Sequence, residues 1–231
     1  MTVYGRTAGA HREFGAERCQ PAHIVARGAF RHRTPKDHIV NLIRIDLRAG
    51  DSVLVDEPGW AVEYARLAAL GLRVLPVPRG EDGPDLAVMR RLIDAHQPRL
   101  YVTVSVLHNP TGASLSLQRA HQLLQLAEAH GLHILEDDTY AHLAPPHLPR
   151  LAALDGLQRC FYVSGFSKIL APNWRVGYLA APPQWVDRLV DTKLLSTLTT
   201  PALTERALAH CLEQGLLRRH AERVMQRLDT A

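Results

Sequence analysis

From about Asp46 onward, short apolar runs alternate with stretches of helical period, and that order narrows the folds open to the chain. Residues 100–106 (Leu-Tyr-Val-Thr-Val-Ser-Val) and 133–135 (His-Ile-Leu) are too short for helices and read as buried strands. A helix is predicted from Asp85 to about His96. There Leu86, Met89, Leu92 and Ile93 share a face, and Pro98 lies beyond its end. Another is predicted to start near Ser116, with Leu117, Ala120, Leu123, Leu124 and Ala127 on one face and Gly131 after its last turn. Alternation of this kind joins parallel strands through crossover helices. The expected fold is therefore α/β, a three-layer sandwich with a mostly parallel sheet. Pro145, Pro146 and Pro149 mark a loop, and beyond Pro182 the chain reads as helical to its end.

Composition excludes several classes. With 231 residues, 46% hydrophobic and 22% charged, the chain has enough apolar content for one large globular domain. Its formal charge of +4 is only moderately basic and does not by itself imply nucleic acid. The side of the C-terminal region bearing Arg218, Arg219, Arg223 and Arg227 reads as a solvated face, with a nucleic-acid patch left open. Cys19, Cys160 and Cys211 are three and widely spaced, which argues for reduced thiols in a cytoplasm and against a disulfide framework. The thirteen histidines show no metal-ligand pairing, so no metal site is expected. No apolar run is long enough to span a bilayer, and the first residues lack a signal-peptide core.

Three segments carry chemistry. Residues 163–178 read Val-Ser-Gly-Phe-Ser-Lys-Ile-Leu-Ala-Pro-Asn-Trp-Arg-Val-Gly-Tyr, which surrounds Lys168 with Ser164, Gly165, Ser167 and Arg175. A lysine that must form an imine with a phosphorylated aldehyde needs hydroxyl donors and a cation nearby; a solvating lysine does not. His108-Asn109-Pro110-Thr111-Gly112 is turn chemistry just past a buried strand, where α/β proteins place their ligands. Glu136-Asp137-Asp138-Thr139-Tyr140 follows the second strand and sets carboxylates beside a phenol. Each segment also has a plainer reading: an exposed lysine, an ordinary strand-to-helix turn, and acids that cap a helix or sit in solvent.

Together, in this order, the segments resemble the motifs of class I/II aminotransferases, which carry pyridoxal phosphate (PLP) on a type I fold. The resemblance implies that Lys168 forms the Schiff base with PLP. It further implies that Asn109 and Tyr140 hydrogen-bond the cofactor's phenolic oxygen, and that Asp137 keeps the pyridine nitrogen protonated. Asp138 is the rival for the pyridine contact, although the Asp-x-x-Tyr spacing favours Asp137. A cis bond before Pro110 is also implied. Residues 53–60 (Val-Leu-Val-Asp-Glu-Pro-Gly-Trp) resemble the family's strand followed by Pro-x-aromatic, so Trp60 would stack on the cofactor, the alternative being a core tryptophan on the first turn of a helix. Ser164, Ser167 and Arg175 are the candidates for the phosphate, since Gly165 stands where many relatives have a hydroxyl residue.

The resemblance covers roughly residues 46–231. Residues 1–45 form an atypical basic segment, expected to be disordered or altered, in which no element can be placed. In the family this region supplies a glycine-containing phosphate turn at a helix N-terminus; here the stretch from Thr34 to Asn41 has no glycine. The chain is also shorter than a complete type I enzyme, so it is expected to comprise the large domain with the small domain largely missing. With that domain would go the arginine that grips a substrate carboxylate. Three functions stay open. The first is PLP-dependent transfer of an amino group between an amino acid and a 2-oxo acid, in a homodimer and impaired by the missing ends. The second is a PLP-binding effector domain of a GntR/MocR-type regulator, which would meet DNA only through an upstream winged helix-turn-helix. The third is a folded remnant that binds nothing.

Overall fold

The computed structural model of the chain describes residues 30–32, 47–197 and 201–230. Among these, eight strands form a sheet: β1 (Phe30–His32), β2 (Ser52–Glu57), β3 (Arg73–Gly80), β4 (Gly83–Pro84), β5 (Leu100–Thr103), β6 (His133–Asp137), β7 (Cys160–Gly165) and β8 (Gly177–Ala180). Their spatial order is β1-β8-β7-β6-β5-β2-β3-β4. The five central strands, from β7 through β6, β5 and β2 to β3, are mutually parallel. Antiparallel pairs close both edges, β7 with β8 and β8 with β1 on one side, β3 with β4 on the other. The expected three-layer α/β sandwich is what the chain forms.

Seven helices flank the described sheet: α1 (Ala61–Ala69), α2 (Leu86–His96), α3 (Leu117–Ala129), α4 (Leu151–Asp155), α5 (Val186–Thr197), α6 (Ala202–Glu213) and α7 (Leu216–Asp229). Strand residues alternate between the two faces of the sheet. Leu54, Val77, Tyr101 and Ile134 face one side and pack with Met89 and Ile93 of α2 and with Leu123 and Ala127 of α3. Val53, Val55, Val102, Leu135 and Val163 face the other side and pack with Leu67 of α1 and Leu189 of α5. A third cluster joins Phe166, Ile169 and Val176, from the segment after β7, to Leu208 of α6 and Leu217 of α7.

The two helices expected from sequence end as their residues dictate. The Asp85 carboxylate accepts from the Ala87 and Val88 amides at the start of α2, at 2.9 and 3.0 Å, and the Ser116 hydroxyl accepts from the Arg119 amide at 3.1 Å in α3. Both are N-caps that satisfy otherwise orphaned donors. Gly131, just after α3, has φ +64°, a conformation that favours glycine.

β1 departs from the expectation for residues 1–45, which placed no element there. Three residues carry no readable period; their pairing comes from β8, far along the chain. The remainder of that segment, including the stretch from Thr34 to Asn41 and Cys19, lies outside the described residues. Among the described residues no helix is long and apolar enough to cross a membrane.

Candidate functional site

Because β2, β5, β6 and β7 run parallel, their C-terminal ends open on one edge of the sheet, where ligands of α/β proteins bind. A cleft lies there, and it brings together Trp60, Asn109, Asp137, Tyr140 and Lys168. They arrive from four strand ends: Trp60 after β2, Asn109 after β5, Asp137 and Tyr140 at and after β6, and Lys168 after β7.

Lys168 is exposed on a tight turn. The Ile169 and Leu170 amides both donate to the Phe166 carbonyl, at 3.3 and 2.8 Å, while the Phe166 and Ile169 side chains are buried. The turn is pinned from below, so Lys168 is held up into the cleft. Its Nζ lies 5.7 Å from the centre of the Tyr140 ring. Trp60 stands at the N-cap of α1, and the Arg66 guanidinium lies 5.3 Å from the centre of its ring. Gly59 makes that placement possible: a Cβ there would come within 2.6 Å of the Asp56 carbonyl oxygen and would collide with the Tyr64 hydroxyl. That hydroxyl donates to the same carbonyl, and burial, followed by the charges of Glu57 and Asp56, pushes its pKa up to about 12.

The adjacent acids after β6 take different parts. Asp137 lines the cleft, and its Oδ1 accepts from the Thr139 amide at 3.0 Å and from the Thr139 hydroxyl. Asp138 is fully buried and turned away; its Oδ2 accepts from Arg150 Nε and from the Tyr162 hydroxyl, both at 2.9 Å. Glu136 is buried as well, accepting from the Ser105 hydroxyl and from the Leu151 and Ala152 amides.

The Asn109 turn is knit by its own bonds. The Gly112 amide donates to the His108 carbonyl at 2.6 Å, the His108 amide to the Ala113 carbonyl at 2.8 Å, and the Leu107 amide to the Ser114 hydroxyl at 3.1 Å. The Asn109–Pro110 bond is cis, as is Glu57–Pro58.

The three phosphate candidates do not line the cleft. Ser164 is fully buried, and its hydroxyl donates to the Asp138 carbonyl at 2.8 Å. Ser167 is half-buried on the lysine turn, and Arg175 is exposed with φ +54°.

Other residues of the cleft were not singled out from sequence: Asp56, Glu63, Tyr64, Thr103 and His108. Position at a strand end is the available clue for Asp56, Thr103 and His108. Asp56 anchors a buried network, with its Oδ2 accepting from Thr103 Oγ1 at 2.7 Å and Arg79 Nη1 at 3.0 Å, and its Oδ1 accepting from the Tyr101 hydroxyl. Burial lowers the pKa of His108, and Arg79 adds to that, while Asp56 opposes it.

The family model for aminotransferases of class I and II matches residues 36–230, so the likeness reaches further into the basic segment than the motifs do. The 2-aminoadipate transaminase of Thermus thermophilus is 33% identical over 181 residues, which is 76% of this chain and 46% of that protein. An uncharacterised helix-turn-helix-type transcriptional regulator of Bacillus subtilis, YcxD, is 30% identical over 175 residues, 75% of this chain and 39% of that protein. Among solved structures, the α-aminoadipate aminotransferase LysN of Thermus thermophilus, complexed with N-(5'-phosphopyridoxyl)-L-leucine, superposes with a TM-score of 0.80 at 29% identity, covering 87% of this chain and 52% of that one. The chain thus spans about half the length of these relatives or less.

Proposed function

Because this chain belongs to the class I and II aminotransferases, we propose that its cleft carries PLP and serves transfer of an amino group between an amino acid and a 2-oxo acid. The observation that carries the reading is the convergence of Lys168, Tyr140, Asn109, Asp137 and Trp60, from four strand ends, on one cleft. Their chemistry suits the ring end of the cofactor. A flat indole offers a stacking wall, a carboxylate suits a protonated ring nitrogen, a phenol and an amide suit the ring oxygen, and an amine suits an aldehyde. Ser164, Ser167 and Arg175 remain the candidates for the phosphate end, although none of them is among the residues that line the cleft.

Bound PLP supplies an aldehyde for amines and a ring that takes up the electron pair released at the substrate's α-carbon. Asp137, braced by Thr139, is the group that would keep a proton on the ring nitrogen. Asn109 and Tyr140 would orient the ring through its oxygen, and Trp60 would cover one face and exclude water. Lys168 Nζ would hold the cofactor covalently and, once displaced by the incoming amine, serve as the base that removes the proton from the substrate's α-carbon. A homodimer is part of this reading.

The likeness to YcxD favours a second reading, an effector domain of a regulator that binds PLP without turnover. One absorbance titration separates the two. Amino transfer predicts a visible band that saturates at one PLP per chain, is lost on adding an amino acid and returns with a 2-oxo acid. A band that forms but never cycles supports the effector reading, and no band at any PLP concentration contradicts both.

A further inference from the structure

Beneath the cleft lies a buried ion pair between Asp56 and Arg79. Asp56, 4% exposed, and Arg79, whose side chain is fully buried, meet at 3.0 Å. Replacing such a pair with apolar residues of similar volume is often neutral or stabilising, because desolvation offsets the attraction. Here the balance is poorer than usual: Nε and Nη2 of Arg79 are buried with no hydrogen-bond partner among the described residues. A costly buried charge at a cleft wall points to a task at that wall.

Geometry shows where the task lies. Asp56 Oδ2 gathers Arg79, the Thr103 hydroxyl and, at 3.4 Å, the Val104 amide, so it ties β2 to β3 and to the end of β5. The same oxygen lies 3.6 Å from His108 Nε2, and His108 Nδ1 lies 2.9 Å from Thr111 Oγ1. The imidazole therefore bridges the sheet and the turn that presents Asn109. Resting on the reading of the cleft given above, we propose that Arg79 is a positioning residue: by closing Asp56 from beneath, it fixes the His108 imidazole and through it the turn that carries Asn109.

Arg79 does not line the cleft, so its influence passes through Asp56. The electrostatics agree. Burial lowers the proton affinity of His108, Asp56 raises it, and Arg79 lowers it again. The other ionisable groups of the cleft are Glu63 and Tyr64 of α1, Asp137 at the end of β6, Tyr140 and Lys168, and Tyr101 of β5 lies in the same buried network. Burial thus favours the neutral ring beside Asn109, and Arg79 offsets part of the opposing pull of Asp56.

The test is the titration of the His108 ring by heteronuclear NMR in ligand-free parent, Arg79→Met, Asp56→Asn and the D56N/R79M double variant. The expected result is opposite shifts from the two ends of one pair: proton affinity about tenfold higher in R79M, lower in D56N, and intermediate in the double variant. Amide resonances of residues 108–113 should move in R79M, PLP should bind it about tenfold more weakly, and Arg79→Lys should restore most of that affinity. If R79M does not fold, D56N and the double variant carry the test. A folded R79M or D56N in which His108 titrates as in the parent would overturn the proposal. A parent that binds no PLP would instead contradict the function proposed for the cleft, since the titration is read without it.

Discussion

Glu136 and Asp137 are neighbours in sequence with opposite fates, because successive strand residues face opposite sides of the sheet. Burial, then the charge of Asp138, pushes the Glu136 carboxyl up to about 7, against the Ser105 hydroxyl and the two amide donors that favour its ionised form. A raised acid binds its proton more tightly when folded. The associated stability is fully present below the unfolded value, about 4.3, and is lost as pH rises through about 7. Glu136→Gln should therefore flatten the fall in urea midpoint between about pH 5 and about pH 8, a difference worth roughly 2–3 kcal/mol. An unchanged slope would show that Glu136 does not hold the proton. Gly59→Ala should cost about 1–3 kcal/mol, because its Cβ has no room beside Tyr64 and the Asp56 carbonyl, and should displace Trp60; thermal melting and tryptophan fluorescence would register both. That Lys168, Asn109, Asp137, Tyr140 and Trp60 come together in one cleft could be anticipated, because each stands in a short motif next to a strand end. Arg79 was not, because its partner Asp56 is 23 positions away and nothing local marks the pair.

At the scale of elements, legibility followed period and caps. α2 and α3 could be read because their apolar residues recur at helical spacing and Asp85 and Ser116 stand at their starts. Asp85→Ala should cost about 1 kcal/mol in urea denaturation, and a loss near zero would mean that α2 does not depend on its cap. β3 was harder, since Pro76 and Pro78 interrupt its run. The Asp85 amide donates to the Pro78 carbonyl at 2.7 Å, so that residue turns its backbone polar groups to the outer edge of β3. Pro76, two residues earlier, faces the same way, so neither proline removes a donor from the pairing with β2. β1 and the surroundings of Ser164 show the limit of local reading. Whether Phe30 pairs with Leu179, or whether the Ser164 hydroxyl is occupied by a carbonyl, is settled by distant parts of the chain.

For the whole molecule, the parallel order of β2, β5, β6 and β7 turns motifs more than a hundred residues apart into one cleft. This is why the order of the motifs in sequence carried more than any one of them. The chain has three lysines, Lys36, Lys168 and Lys193, so the attachment point can be found without ambiguity. The decisive measurement is borohydride reduction of the protein incubated with PLP, followed by peptide mapping, in parent and Lys168→Ala. One phosphopyridoxyl group per chain on Lys168, absent from the variant, is the predicted result. No adduct in the parent, or an adduct of equal stoichiometry in the variant, would contradict it.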